Sequence, residues 1–324
     1  MKNKKLKKEK DDIFSQMVNF GTRIFKDENV AKHLSFGVGG KVKYLAEVCN
    51  QEEIIFAVNL AREKKIPYLI LGGGYNLVFS GKKWNGIVIK VSDGKIKING
   101  DIIYSDAGAL LSGLIKVAVS SGLSGIETLS GIPGTIGGAI YGNAGAYGHS
   151  ISEYLVSVTI FDGNDVRKIA KDECDFSYRE SIFKKKDWVI LGAEFKFIPG
   201  DRGSLTSTSK KIIETRLNKF GKEPKCAGSY FKNVVVSELK PVVLEGIPKN
   251  KIIDGKIPAG YLLESVGAKG MRVGGIYVAD YHGNIILNDG TGKSSDLYKL
   301  TEKLKKLVKE KFGINLEEEV ITID

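Results

Sequence analysis

Apolar residues recur at helical spacing in three stretches of the chain and run together or alternate in several shorter ones. Over residues 52–65, Ile54, Ile55, Val58 and Ala61 fall on one face, and Asn50 followed by Glu53 reads as a capping box. Residues 107–121 carry a second stripe, Leu110, Leu111, Leu114, Ile115 and Ala118, which Gly122 ends. The third spans residues 295–312, with Leu297, Leu300, Leu304 and Leu307 on the buried face and Gly313 as the cap. A further helix is expected over residues 206–220. Strand-like runs occur at residues 67–71, 86–91, 96–98, 154–162, 188–197 and 320–323. Helices and strands interleave without a strict βαβ rhythm, so the pattern predicts an α+β fold. Pro199-Gly200-Asp201-Arg202-Gly203 reads as a linker, which sets the expected domains at residues 30–198 and 199–324.

A chain of 324 residues is longer than one hydrophobic core usually supports, which agrees with more than one domain. The unusual count is glycine, at 39 residues against 7 prolines. Residues 131–148 (GIPGTIGGAIYGNAGAYG) hold seven glycines in eighteen positions, and Gly72-Gly73-Gly74-Tyr75-Asn76 directly follows an expected strand. A glycine-rich turn at a strand end exposes backbone N–H groups that can bind a pyrophosphate. Either cluster alone could be a tight turn; two in one half of the chain favour a ligand. Neither common nucleotide fingerprint is present. A G-x-G-x-x-G match would need glycine where Leu77 stands, and Gly290-Thr291-Gly292-Lys293-Ser294 lacks the leading Walker glycine, since that position is Leu287.

The formal net charge is +11, and the first ten residues hold six lysines against Glu9. No arginine or aromatic is interleaved with these lysines, so residues 1–12 read as a solvated basic tail rather than a nucleic-acid arm. No apolar segment follows them as in a secretory signal, and no window approaches the ~20 apolar residues of a membrane span. Cys49, Cys174 and Cys226 are scattered, and His33, His149 and His282 show no ligand spacing, so neither a disulfide framework nor a metal site is expected. A reducing cytoplasm is the simplest setting.

Six segments then carry a resemblance. LGGGYNL (residues 71–77), residues 131–148, FSYRES (176–181), AGSYFKN (227–233), KGMRVGG (269–275) and LEEEV (316–320) occur in the order seen in the UDP-N-acetylenolpyruvoylglucosamine reductase family. The chain resembles that family from Ser35 onward. The resemblance implies a vanillyl-alcohol-oxidase-like, PCMH-type FAD-binding fold of two α+β subdomains with a C-terminal α+β substrate domain. It also implies hydride transfer from NADPH through FAD to an enolpyruvyl ether on UDP-N-acetylglucosamine, giving UDP-N-acetylmuramate for peptidoglycan. The FAD contacts it implies are Gly72, Gly73, Gly74, Tyr75, Asn76 and Leu77 in the first cluster. In the second they are Gly131, Ile132, Pro133, Gly134, Gly137, Gly138, Asn143, Ala144, Gly145 and Ala146.

Reduction of the enolpyruvyl C=C leaves negative charge beside a carboxylate, and electrostatic stabilisation of such charge is usually the largest catalytic contribution. By resemblance Arg179 meets that charge, Ser229 protonates the carbon, and Glu319 binds the carboxylate. Three glutamates compete for the last role. On a strand, Glu317 and Glu319 would share a face with Ile321 and Ile323, where desolvation raises a carboxyl pKa. Glu319 is therefore the choice, Glu317 the fallback, and Glu318 is expected in solvent. Asn233 matches a substrate contact, Lys232 is a candidate for the diphosphate, and His282 reads as structural. Tyr75 replaces a usual serine and Ser265 a usual side-chain amide. The spacing from Arg179 to Ser229 is too short for the tyrosine-bearing insert of the longer subclass. The competing readings are an FAD-dependent oxidase of the same fold and a basic nucleic-acid-binding protein. The expected partner is a small UDP-sugar, with a monomer as the simplest state.

Overall fold

The computed structural model describes residues 13–220 and 225–324, so the expected basic tail lies outside the described residues. The chain divides into two units, each with its own core. The first holds residues up to 28, 42–73 and 84–218; the second holds 29–41, 74–83 and 219 onward.

Continuous apolar runs in the first unit make a sheet of β1 (Arg23–Asn29), β2 (Lys41–Val48), β3 (Tyr68–Leu71) and β5 (Trp84–Val91), ordered β1-β2-β5-β3. Strands β2 and β3 both run parallel to β5, with Leu45 opposite Val88 and Ile70 opposite Ile89. Helix α1 (Gln51–Glu63) connects β2 to β3. Asn50 caps it, its side chain accepting the Glu53 N–H at 2.9 Å. The helix buries Ile54, Ala57, Val58, Leu60 and Ala61 in one cluster with Tyr44, Ile87 and Ile89.

A second sheet follows, in which β6 (Ile96–Asn99), β7 (Ile102–Asp106), β8 (Leu155–Phe161), β9 (Val166–Ala170) and β10 (Val189–Lys196) are ordered β9-β8-β10-β7-β6, all antiparallel. Helices α2 (Leu111–Ser120) and α3 (Ile136–Tyr141) share its core through Leu111, Leu114, Ile115, Ile136 and Ile140. Leu110, expected in the buried stripe, is the residue before α2 and is 57% exposed.

The expected linker at 199–203 is not one. Pro199 pairs with Leu123, and Asp201 accepts the Ser204 N–H at 2.8 Å at the start of α4 (Arg202–Phe220). Pro-Gly-Asp is here a strand end followed by a helix cap, a combination that mimics a linker in sequence. Because α4 packs on the first unit through Leu205 and a 2.8 Å Ser130–Ser209 contact, the compact units part after residue 218.

The second unit is built around α5 (Ala259–Ser265), a small antiparallel sheet of β11 (Arg272–Val273), β12 (Ile276–Val278) and β13 (Ile286–Asn288), and the long α6 (Ser294–Phe312). Helix α6 buries Leu297, Leu300, Thr301, Leu304 and Val308. Val308 takes the place expected for Leu307, keeping the i, i+4 step after Leu304. Gly313 ends the helix at φ 70°, a left-handed cap that glycine adopts without strain. The last strand, β14 (Ile321–Ile323), lies parallel to β4 (Leu77–Phe79), with Ile321 opposite Leu77 and Ile323 opposite Phe79. Among the described residues no helix is long and apolar enough to cross a membrane.

Candidate functional site

The division between the units runs through the first glycine turn, between Gly73 and Gly74. In the first unit, Gly72 faces Thr135, and a Cβ at 72 would collide with the Thr135 hydroxyl. Thr135 caps α3, its side chain accepting the Gly138 N–H at 3.3 Å. Glycine at 72 thus lets the turn after β3 meet the start of α3, which joins the two glycine clusters. Thr135 was not among the expected residues, although a threonine three positions before Gly138 is a helix-start signal. In the second unit, Gly74 has φ 71° and leaves no room for a Cβ against the His33 carbonyl. Its own carbonyl accepts the Ser35 N–H at 2.9 Å. Tyr75 is exposed at the tip.

Three hydrogen bonds attach residues 176–181 to the second cluster. Asn143 Nδ2 donates to the Ser177 carbonyl at 2.8 Å, an Arg179 guanidinium N–H to the Gly145 carbonyl at 3.1 Å, and the Ser181 hydroxyl to the Tyr141 carbonyl at 2.7 Å. Ser177 and Glu180 close a tight turn with Tyr178 and Arg179 at its tip. Arg179 has φ 60°, a conformation that costs a non-glycine residue roughly 1–3 kcal/mol. Its side chain also lies over the Tyr178 ring. Non-glycine residues in this conformation cluster at functional sites, and the Arg179 side chain is half-buried.

The expected FAD fits these residues. Asn143 is 94% buried (6% exposed), and its Oδ1 accepts no hydrogen bond from any described residue. A buried acceptor of this kind needs a donor, which a flavin ring N–H or a ribityl hydroxyl can supply. Gly131 (φ 75°) lies against the side chain of Arg216, where a Cβ would come within 3.0 Å of Cδ. Burial pushes the Arg216 pKa down, so an anionic group beside it would be favoured.

In the second unit, Ser229 pairs with Ile285 in an isolated bridge and Phe231 with Glu318. The Glu319 N–H donates to the Tyr230 carbonyl at 2.9 Å, and the Lys232 N–H to the Glu317 carbonyl at 2.9 Å. Ser229–Lys232 therefore runs beside the three glutamates. The strand argument for choosing among them was wrong in its register, because β14 begins only at Ile321. Glu317, expected on the buried face, is exposed and forms an ion pair with Lys232 at 2.6 Å. Glu318, expected in solvent, is half-buried, pairs with Lys305 at 2.6 Å and accepts from the Tyr230 hydroxyl at 3.4 Å. Burial, followed by the Glu318 carboxylate, pushes the Tyr230 phenol pKa up. Glu319 is half-buried, and Asn76 Nδ2 donates to its backbone carbonyl at 2.9 Å.

Other expected residues have structural partners. Asn233 Oδ1 accepts the Ala259 N–H at 3.1 Å at the start of α5. His149 makes a 2.8 Å contact with Glu153 at the surface. His282 is packed on Gly260, and its Nδ1 accepts the Asn284 N–H at 3.1 Å. Burial, then the charge of Lys219, pushes the His282 pKa down.

Two family models match the chain: an FAD binding domain over residues 42–166, and UDP-N-acetylenolpyruvoylglucosamine reductase, C-terminal domain, over residues 219–323. The second begins where the contact division places the second unit. Among curated proteins, the UDP-N-acetylenolpyruvoylglucosamine reductase of Solibacter usitatus is 46% identical over 88% of this chain and 92% of its own length. That of Caldanaerobacter subterraneus is 35% identical over 92% and 93%. The crystal structure of UDP-N-acetylenolpyruvylglucosamine reductase from Thermus caldophilus superposes with a TM-score of 0.74 at 27% identity, covering 94% of this chain and all of that one.

Proposed function

The chain belongs to the UDP-N-acetylenolpyruvoylglucosamine reductase family, and from that premise we propose how its own residues carry out the family's reaction. The protein is an FAD-dependent oxidoreductase that uses NADPH to reduce the enolpyruvyl ether of UDP-N-acetylglucosamine to UDP-N-acetylmuramate in peptidoglycan synthesis. The relatives favour this over an oxidase of the same fold.

FAD, when bound, supplies the hydride that the vinyl carbon receives. Gly72, Gly73, Gly74, Tyr75, Asn76 and Leu77 would hold it, with Gly131, Ile132, Pro133, Gly134, Gly137, Gly138, Asn143, Ala144, Gly145 and Ala146 lining the other wall, where Asn143 Oδ1 offers a buried acceptor. Arg179 offers a planar fork of donors to the substrate carboxylate. Facing the carbanion that hydride addition creates, it lowers the barrier as an enolate forms. Glu319 hydrogen-bonds the same carboxylate, and the Ser229 hydroxyl delivers the proton that the carbon needs. Lys232 and Asn233 lie along the Ser229 segment and contact the sugar nucleotide. The substrate-binding portion is assigned from residue 219 onward, with residues 199–218 left with the FAD-binding portion on which they pack. Its use of a UDP-sugar and NADPH supports the cytoplasm as the compartment, with a monomer as the simplest state.

The observation that carries this reading is the 2.9 Å hydrogen bond from the Glu319 N–H to the Tyr230 carbonyl, which sets the glutamate beside the segment that starts at Ser229. A Ser229→Ala variant tests it. NADPH should still bleach its flavin, while reoxidation by the enolpyruvyl sugar nucleotide slows by about 100-fold or more. Equal loss of both half-reactions would count against Ser229 as the donor.

A further inference from the structure

Asn284 is 2% exposed and spends its whole carboxamide on one residue. Its Nδ2 donates to the Phe231 carbonyl at 2.8 Å, and its Oδ1 accepts the Phe231 N–H at 2.9 Å. Its backbone carbonyl accepts the Tyr230 N–H at 2.9 Å, and the next residue, Ile285, is the bridge partner of Ser229. A side chain that donates to the carbonyl and accepts from the N–H of one residue stands in for a neighbouring strand.

The opposite edge of the same segment is held by backbone groups of Glu317 and Glu319. On its N-terminal side the Lys225 and Cys226 carbonyls accept the Asn288 N–H at 3.0 Å and the Ser35 hydroxyl at 2.9 Å, and Gly228 follows at φ 78° with no atom within 4 Å of where a Cβ would be. Gly228 is thus the permissive joint between that anchored stretch and Ser229. On the other edge, next to the Ser229–Ile285 bridge, the Asn284 side chain pairs with Phe231, and the His282 Nδ1 that accepts the Asn284 N–H fixes the loop presenting it.

We propose that Asn284 is a positioning residue for proton transfer, holding Ser229 in register with the carbon it protonates. This rests on the assignment of Ser229 as proton donor. Leaving Phe231's buried N–H and carbonyl without their partners would let the segment shift at Gly228, and displacements of about 1 Å can cost about 100-fold in rate.

The test combines Asn284→Ala and Asn284→Asp with Ser229→Ala, each variant followed through both half-reactions. Asn284→Asp keeps the size and the acceptor but loses the Nδ2 donor. Both single variants should hold FAD and be reduced by NADPH at the wild-type rate. Their reoxidation by the enolpyruvyl sugar nucleotide should fall by about 100-fold, in kcat with little change in KM. In the Ser229→Ala background the same substitutions should add almost nothing, because the group they position is gone. Equal losses in both backgrounds, equal slowing of both half-reactions, or loss of FAD would each overturn the inference and mark Asn284 as a general fold residue. If Ser229→Ala alone reoxidised at the wild-type rate, the donor assignment would fail first and take the inference with it, an outcome distinct from the others.

Discussion

Asn76, in the first glycine turn, donates through Nδ2 to the backbone carbonyl of Glu319 at 2.9 Å. The Asn76 carbonyl in turn accepts the Ile321 N–H at 3.1 Å, at the start of the parallel pairing of β14 with β4. One residue of the cofactor turn thus brackets the glutamate assigned to the substrate carboxylate. The Glu319 N–H and carbonyl are both hydrogen-bonded, and the side chains of Glu317 and Glu318 form ion pairs with Lys232 and Lys305.

That difference separates the three glutamates by experiment. Glu319→Gln should reduce turnover of the sugar nucleotide more than either neighbour's substitution does. Glu317→Gln should leave turnover near wild type and stability within about 0.5 kcal/mol, since its ion pair with Lys232 leaves the Glu317 side chain 72% exposed. Glu318→Gln should cost about 1–2 kcal/mol, because it weakens contacts with Lys305 and the buried Tyr230 hydroxyl. Steady-state kinetics and thermal melts on the three variants check the ranking.

Arg179 offers a test of stored strain. Arg179→Gly removes the cost of φ 60° but also loses the hydrogen bond to the Gly145 carbonyl, contributions of opposite sign and each of order 1 kcal/mol. Stability should therefore change by less than about 1 kcal/mol while turnover of the sugar nucleotide collapses. A melt paired with the reoxidation assay reads both; a variant that unfolds would show that the turn is a packing feature.

Much of this arrangement was legible in the chain, and the exceptions share one physical cause. The stripes of α1, α2 and α6 and the two glycine clusters declare themselves within a short window, and six short segments in order pointed to the family. Residues 29–41 and 74–83 carry no local sign that they join the second unit. Their membership is set by distant partners, such as β14 for β4 and the Asn288 side chain for the Phe36 carbonyl. The glutamates were misread for the same reason. Alternation works only inside a regular strand, and β14 starts after Glu319. Asn284 was invisible because a buried asparagine that replaces a strand edge looks in sequence like any turn residue.

His282 gives the structure a pH dependence. Its pKa lies below the usual value of 6.5, through burial and then the nearby charges of Lys219 and Lys269, against the opposing Glu264. The unfolded chain therefore takes up a proton at a higher pH than the folded one. This contribution to stability is fully present above about pH 6.5 and is lost as pH falls toward the folded pKa. Protonation would also turn Nδ1 from acceptor into donor and break its bond to the Asn284 N–H. Between pH 7.5 and 5.5, as about one unit either side of the ordinary histidine value, the wild type should lose more melting temperature than His282→Gln. Parallel losses in the two proteins would remove His282 from the account.

Reduction of the enolpyruvyl sugar nucleotide requires a flavin that takes hydride from NADPH and passes it on. The most direct measurement is the visible absorption spectrum of the purified protein under anaerobic conditions, first with NADPH and then with UDP-N-acetylenolpyruvoylglucosamine. A yellow protein whose flavin absorbance is bleached by NADPH and restored stoichiometrically by the sugar nucleotide is the predicted result. A colourless protein that takes up no FAD, or a reduced flavin that the sugar nucleotide leaves bleached, would contradict it.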